Sequence, residues 1–308
     1  MLAALAGCRR ATPQPAQAID RPGAERIAAA LALLPSDTGT VISLDLDHLR
    51  GLATWNPLLA SIVRSFGPLL DSLFARTGFE PTRHVHRLWI ALPGERDQTE
   101  RFALLADADN LDDARLLAWL RERTGDTLTA FVRDHTQLVI AAGAWKAPML
   151  GLAKQHHLSP SAADNLELRR LCERQADDHG VWFVSLVTPH LRRVLVEDGR
   201  FPDAASIARV AGHIDLEAGL HVDLEGELTN TPDAAHLAHR LVFFMNQAKR
   251  DPEMLVLGLA PYLEAVRIQA REATVHATLD VPSAQFADAV EHIEALAHGS
   301  LSKYSRLP

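Results

Sequence analysis

Two carboxylates and a histidine stand together where the first apolar run of the chain ends, in the stretch Asp45-Leu46-Asp47-His48. Alternate positions of a strand point to the same side, so Asp45 and Asp47 would lie together with His48 beside them. This spacing is able to hold a divalent metal, as a metal-dependent hydrolase requires. The competing interpretation, which we favour, is a strand end whose carboxylates cap the following turn. We therefore predict no metal site here.

A second group of polar residues alternates with apolar ones in the last third of the chain. The runs 213–229 and 266–281 each predict a β-hairpin with one apolar and one polar face. If the two polar rows are adjacent, they form a surface able to bind a polar ligand or a metal. The alternative is a solvated sheet face in which opposite charges pair across strands. The polar residues are His213, Asp215, His221, Asp223, Glu225, Arg267, Arg271 and His276.

Sequence motifs of the common enzyme classes are absent. The chain contains no G-x-S-x-G elbow, no P-loop, no G-x-G-x-x-G, no H-E-x-x-H and no paired C-x-x-C. Cys172 follows two leucines in a predicted helix, where a buried and inert thiol is typical. We predict no catalytic residues and no cofactor, which favours a binding or scaffolding role over an enzymatic one.

Length and charge restrict the class of partner. The 308 residues are 47% hydrophobic, enough for a sizeable core, and carry a net charge of -8 without a run of basic residues. A phosphate backbone would need such a run, so nucleic acid is not an expected partner. No apolar run approaches the ~20 residues needed to cross a bilayer.

Hydrophobic periodicity predicts an α+β protein. After Asn56-Pro57, apolar residues recur at helical spacing as far as Gly78, with a kink expected at Gly67-Pro68. The same order of elements then occurs twice, beginning with strands at 41–46 and 181–187; the first helix of the second copy is expected near 203–211. We predict two similar halves, each an antiparallel sheet with helices packed on it, as a duplicated β-α-β-β-α-β-β-α unit.

These patterns divide the chain into six segments. Residues 1–8, which end in Leu5-Ala6-Gly7-Cys8 and resemble a truncated signal with a lipobox, come first and are followed by a flexible tether (9–24). A first α+β half (25–158), a joining helical segment (159–178), a second α+β half (179–299) and a C-terminal tail (300–308) complete the chain.

The long helix after Asn56 suggests a second kind of binding. Its apolar stripe, with Trp55, Phe66 and Phe74, would line a groove between sheet and helix that takes an acyl chain, as a periplasmic carrier of a lipid or other apolar ligand requires. The alternative is that the stripe is ordinary core.

The N-terminus resembles a site of lipid attachment. Leu5-Ala6-Gly7-Cys8 is similar to the bacterial lipobox, in which the cysteine becomes lipid-modified, and 9–24 has the composition of a tether. Only seven residues precede Cys8, fewer than a secretory signal has. The resemblance implies a lipid-anchored protein of the cell envelope, and Arg9 in place of an aspartate favours the outer membrane, facing the periplasm. If the motif is accidental, the chain is cytoplasmic.

Two further stretches resemble a loose group of uncharacterised secreted bacterial proteins, common as myxobacterial-type lipoproteins. They are Leu34-Pro35-Ser36-Asp37-Thr38 and the run 214–223. The resemblance implies the same location and α+β pattern and no activity. The sequence thus predicts an envelope protein that contacts the membrane through its anchor, with its small-molecule or protein partner left open.

Overall fold

Ten antiparallel strands form a single sheet with helices on both of its faces. The computed structural model describes residues 22–94, 101–154, 160–175, 179–189, 192–193, 196, 205–251 and 260–288. Cys8 and most of the predicted tether lie outside these residues. The predicted fold class, α+β, is confirmed.

The helices and strands follow each other along the chain in the following order. The helices are α1 (Pro22–Ala32), α2 (Leu46–Arg50), α3 (Trp55–Thr77), α4 (Pro81–His84), α5 (Asp113–Thr124), α6 (Lys146–Lys154), α7 (Leu166–Gln175), α8 (Thr231–Ala248) and α9 (Ala260–Ala265). The strands are β1 (Thr38–Asp45), β2 (Val85–Pro93), β3 (Ala103–Ala108), β4 (Leu128–Arg133), β5 (Gln137–Ala142), β6 (Val181–Leu186), β7 (Ile207–Asp215), β8 (Gly219–Leu228), β9 (Val266–Arg271) and β10 (Thr274–Pro282).

The two halves of the chain contribute the two halves of the sheet. The strand order is β4-β5-β3-β2-β1-β6-β7-β8-β10-β9. Strands can be numbered within each half by their order along the chain. Outward from the central pair β1 and β6, both halves then have the same spatial order: first, second, third, fifth and fourth. The sequence predicted a sheet in each half, whereas the structure has one continuous sheet, because β1 and β6 pair with each other. The shared order agrees with the predicted repeat of elements; duplication itself stays a prediction.

The prediction of a helix near 203–211 is wrong. Residues 207–215 form β7, which pairs with β6 on one side and β8 on the other. Alanine favours helix in this segment, but two neighbouring strands bind its backbone on both sides and override that preference. Residues 189, 192, 193 and 196 are helical, so the second half has helical residues between β6 and β7.

One face of the sheet, which we call the α1 face, carries Val41, Trp89 and Trp182. In the first half and the centre it is buried under α1, α6 and α7. Trp89 and Trp182 meet edge to face, with ring centroids 5.5 Å apart. Cys172 of α7 is buried in this core, as predicted, and burial raises the pKa of its thiol.

The Leu-Pro-x-Asp-Thr stretch, residues 34–38, contacts this core just before β1. Asp37 accepts a hydrogen bond from Trp145 Nε1 at 2.9 Å and forms an ion pair with Arg101 at 2.6 Å. Thr38 is buried, and its hydroxyl donates to the Pro35 carbonyl at 2.7 Å. These contacts give the stretch a structural role.

The opposite face, which we call the α3 face, carries apolar side chains in both halves. Helices α3 and α5 cover it in the first half, where Leu73, Leu116 and Trp119 are buried. Helix α8 covers it in the second half. Among the described residues, no helix is long and apolar enough to span a membrane.

Candidate functional site

Helix α3 is buried at its two ends and exposed in its middle. Trp55 near its start and Leu73 near its end are each 7% exposed, whereas Phe66 between them is 55% exposed. Pro68 lies inside the helix and removes one backbone hydrogen bond there. The helix ends at Gly78, whose φ of 73° is in the left-handed region that glycine adopts readily. Helix α3 thus bridges the sheet and is anchored at each end.

An apolar cavity of about 400 Å³ lies between α3, α5 and the α3 face of the sheet. Phe66 and Leu69 line it and are 55% and 37% exposed, so the cavity opens to solvent at the middle of α3. All lining residues except Arg50 and Thr82 are apolar. They are Leu44, Leu46, Arg50, Trp55, Leu59, Phe66, Leu69, Leu70, Leu73, Phe79, Pro81, Thr82, Val85, Leu88, Leu104, Ala106, Leu116, Trp119, Leu120, Leu138 and Ile140.

The one charged residue among those lining residues has its guanidinium bonded to the protein. Arg50 Nε donates to the Thr82 carbonyl at 2.9 Å, and a second nitrogen donates to the Val85 carbonyl. A third donates to Asp47 Oδ1 at 2.5 Å. The guanidinium of Arg50 is therefore bound by two backbone carbonyls and a carboxylate, while its stem lines the cavity. Such a wall suits a hydrocarbon and offers little to a polar ligand.

The sequence predicted this cavity only in part. Trp55 and Phe66 line it as predicted, but Phe74 is 54% exposed and does not. The prediction missed the wall formed by α5 and by strands β2, β3 and β5. Their one signal in the sequence is the apolar side of each strand, which is equally typical of ordinary core.

The predicted polar residues of the second half do share one sheet face. Strand pairing places His213 opposite Asp223, Asp215 opposite His221, and Thr278 between Asp223 and Arg267. Glu225, His276 and Arg271 occupy the same face, which is the α1 face. The polar rows of the two hairpins are therefore adjacent, which is the condition for a shared polar surface.

Contacts on this polar face are mainly between neighbouring strands. His221 Nδ1 lies 2.6 Å from Asp280 Oδ1, and the rings of His179 and His213 stack with centroids 3.6 Å apart. Burial, followed by the nearby His179, lowers the pKa of His213 more than Asp223 raises it. Asp215 accepts the Glu217 N–H at 2.8 Å and so shapes the β7–β8 turn. Within the described part of the chain, no group of three or more His, Cys, Asp or Glu side chains is arranged to hold a metal.

The carboxylates of Asp45 and Asp47 are both engaged by the protein. Strand β1 ends at Asp45, whose Oδ1 accepts the His48 N–H at 3.1 Å and caps α2. Asp45 also pairs with Arg87. Burial raises the pKa of Asp45, but the His48 N–H and Arg87 together outweigh it and hold the pKa below its usual value.

The prediction that Asp45 and Asp47 lie on the same side of a strand is wrong. Asp47 and His48 belong to α2, so strand alternation does not apply to them. Asp47 instead pairs with Arg50 at 2.5 Å and His86 at 3.0 Å. The arrangement is that of a capped strand end, which is the interpretation favoured from the sequence.

Comparison with known proteins adds little to this geometry. No family model matches the chain, and no curated protein matches its sequence. A solved structure titled "Structure of crystal form I of TP0453" is similar with a TM-score of 0.40 and 9% identity, covering 86% of this chain and 96% of that one. A similarity this low carries no functional argument, so the cavity and the polar face must be judged on their own chemistry.

Proposed function

We propose that this protein binds the hydrocarbon chain of a lipid, or another apolar ligand, in the cavity beneath α3, and that it acts as a carrier or binding protein without catalysing a reaction. The observation that carries the proposal is the cavity wall, which is apolar in all but two of its residues. Its volume of about 400 Å³ lies within the range of roughly 300–1,000 Å³ that is typical of small-molecule sites.

The energetics of an apolar cavity support the same role. A void leaves its lining side chains without packing partners on one side, which costs stability. An apolar cavity does not gain from water, because water finds no hydrogen-bond partners in it. A ligand composed of methylene groups would restore the missing contacts and remove its own apolar surface from water.

The proposal extends to location. We place the protein in the bacterial cell envelope, anchored through a lipid on Cys8, with residues 9–24 as a tether that reaches at most ~50 Å. An anchored carrier would stay beside the bilayer that supplies its ligand. The mass of the mature N-terminus, measured after expression with the codons upstream of Met1, tests this part; an unmodified Cys8 contradicts it.

Saturable binding of a fluorescent acyl probe, cis-parinaric acid, tests the ligand class. Phe66 and Phe243 form a matched pair, because each is 55% exposed on a helix of the α3 face but only Phe66 lines the cavity. We expect Phe66→Ala to weaken binding several-fold and Phe243→Ala to leave it unchanged.

A cavity-filling variant provides the second arm of this test. Ala106 is 6% exposed and lines the cavity, so Ala106→Leu places extra methyl groups in the ligand volume. We expect it to reduce probe binding at least tenfold while the protein stays folded. Probe binding that does not saturate, or equal effects of Phe66→Ala and Phe243→Ala, would indicate surface adsorption and overturn the proposal.

A further inference from the structure

A smaller polar pocket adjoins the apolar cavity. It has a volume of about 250 Å³ and lies between the C-terminal end of α5, the turn that follows it, and strands β4 and β5. Leu120 and Ile140 line both this pocket and the cavity. Both residues are half-buried, so two side chains form the partition between an apolar space and a polar one.

We infer that the ligand is a single-chain amphiphile whose acyl chain occupies the cavity and whose phosphate-bearing head lies in the polar pocket. The inference rests on the proposed function and adds the chemistry of the head. An amphiphile needs an apolar and a polar compartment in direct contact, and Leu120 and Ile140 mark the place where the chain would pass between them.

The charged groups of the polar pocket match a zwitterionic head. Arg121 lines the pocket and has no ion pair within the described residues, so its guanidinium is free to bind a phosphate in the two-pronged geometry that arginine favours. Asp126 also lines it, and its carboxylate has no partner in the described part of the chain. The carboxylate would meet an ammonium group of the head. A lysophospholipid with a choline or ethanolamine head carries both charges.

Two contacts hold this pocket in shape. Thr124 Oγ1 donates to the Leu120 carbonyl at 2.9 Å at the end of α5. Lys146 Nζ donates to the Asp126 carbonyl at 2.6 Å, which fixes the turn and brings a second cation to the rim. The pocket is therefore bounded by fixed backbone, with Arg121 as its one lining cation.

Displacement of cis-parinaric acid by two competitors with the same acyl chain tests the inference. One is a lysophosphatidylcholine and the other a monoacylglycerol, each used below its micelle-forming concentration and at 0.15 M salt, about the physiological ionic strength. We expect wild-type protein to bind the lysophosphatidylcholine roughly tenfold more tightly. Glycerophosphocholine, the head without a chain, should not displace the probe.

Two variants on the same helix provide the control. Arg121→Gln should abolish the preference and leave the affinity for monoacylglycerol unchanged, whereas Arg123→Gln, on the same helix but outside both pockets, should keep it. Equal wild-type affinities for the two competitors, or retained preference in Arg121→Gln, would overturn the head site while leaving apolar binding intact. Failure of both competitors and the probe to bind would overturn the proposed function as well.

Discussion

A helix between the third and the fourth strand lies on the α3 face in both halves of the sheet: α5 in the first half and α8 in the second. Helix α8 turns Ala234 and Ala238, both buried, toward the sheet, and small residues let a helix approach closely. Helix α5 turns Leu116 and Trp119 toward it, and these line the cavity. Helices at equivalent positions therefore pack closely on the sheet in the second half and border a cavity in the first. Residue size and the presence of α3 account for the difference.

The α1 face differs between the halves in its polar residues. In the first half Asp45 pairs with Arg87, and Gln137 Nε2 donates to Asp107 at 2.8 Å, so these four half-buried side chains have polar partners. In the second half Arg209 pairs with Glu227 on this face, and in addition the imidazoles of His179 and His213 stack on each other. Compensated polar groups stabilise a fold at neutral pH, whereas a stacked histidine pair makes stability sensitive to protonation.

Truncating one leucine in each half gives the largest expected effect. Leu237 on α8 and Leu73 on α3 are 5% and 7% exposed, but only Leu73 borders the cavity. We expect Leu237→Ala to lower the free energy of unfolding by about 3 kcal/mol and Leu73→Ala by roughly 1–2 kcal/mol, because Leu73 already lacks contacts on one side. Urea unfolding measures both. Equal losses would mean that the first half is as closely packed as the second.

Enlarging one alanine in each half should again destabilise the second half more than the first. Ala234→Leu forces extra atoms between α8 and the sheet and should cost about 1–3 kcal/mol of unfolding free energy. Ala106→Leu places the same atoms in the cavity and should leave stability unchanged or raise it. Thermal unfolding of the two variants without ligand distinguishes these outcomes. A comparable loss in Ala106→Leu would show that the cavity is not open space.

Neutralising Asp45 tests the compensated polar groups of the first half. Asparagine keeps the cap of α2 but leaves Arg87 without its anion, so Asp45→Asn should cost about 1 kcal/mol at pH 7. The folded-state pKa of Asp45 is lowered, so its contribution is complete above its ordinary pKa of 3.8 and is lost as pH falls through the lowered value. Urea unfolding should show a difference in the free energy of unfolding between wild type and variant at pH 7. That difference should become smaller at pH 3 or below.

Asp47→Asn is the control for that measurement. Its side chain is 56% exposed, and we expect a change within about 0.5 kcal/mol at pH 7. A gap for Asp45→Asn that stayed constant down to pH 2 would contradict the ion pair as its cause.

Acidification tests the histidine pair of the second half and gives the smallest expected effect. The lowered pKa of His213 means that protonation is disfavoured in the folded state, so stability is complete above the ordinary pKa of 6.5 and falls as pH drops below it. The groups facing His213 are His179, His221, Asp215 and Asp223. Tm should fall between pH 7 and pH 5, and His213→Asn should reduce that fall; an identical pH dependence in the variant would remove His213 as its source.

Local patterns predicted the elements that depend on nearby residues. The β9–β10 hairpin, the common face of His213, His221 and His276, and the end of α3 at Gly78 all follow from alternation or from glycine chemistry within a short segment. The sequence placed Asp47 on a strand because alternation continues through Leu46, but capping by Asp45 begins a helix there.

The cavity depended on distant residues and was predicted only from its α3 side. Its wall combines α2, α3 and α5 with strands that are remote in sequence, and nothing local separates a leucine that fills space from one that borders it. Phe74 shows the difficulty: it continues the apolar stripe of α3, yet it is exposed because the helix turns that position away from the sheet. Helical spacing alone does not state how far the helix stands from the sheet.

Fluorescence quenching by a brominated fatty acid tests the central claim, that hydrocarbon occupies the cavity, most directly. Trp55 and Trp119 line the cavity, whereas Trp89, Trp145 and Trp182 belong to the core on the α1 face. Bromine quenches tryptophan only at short range, so bound ligand should quench wild-type protein saturably. The variant Trp55→Phe with Trp119→Phe, confirmed to bind cis-parinaric acid, should lose most of that quenching. Quenching of equal depth in this double variant would place the ligand elsewhere and contradict the account.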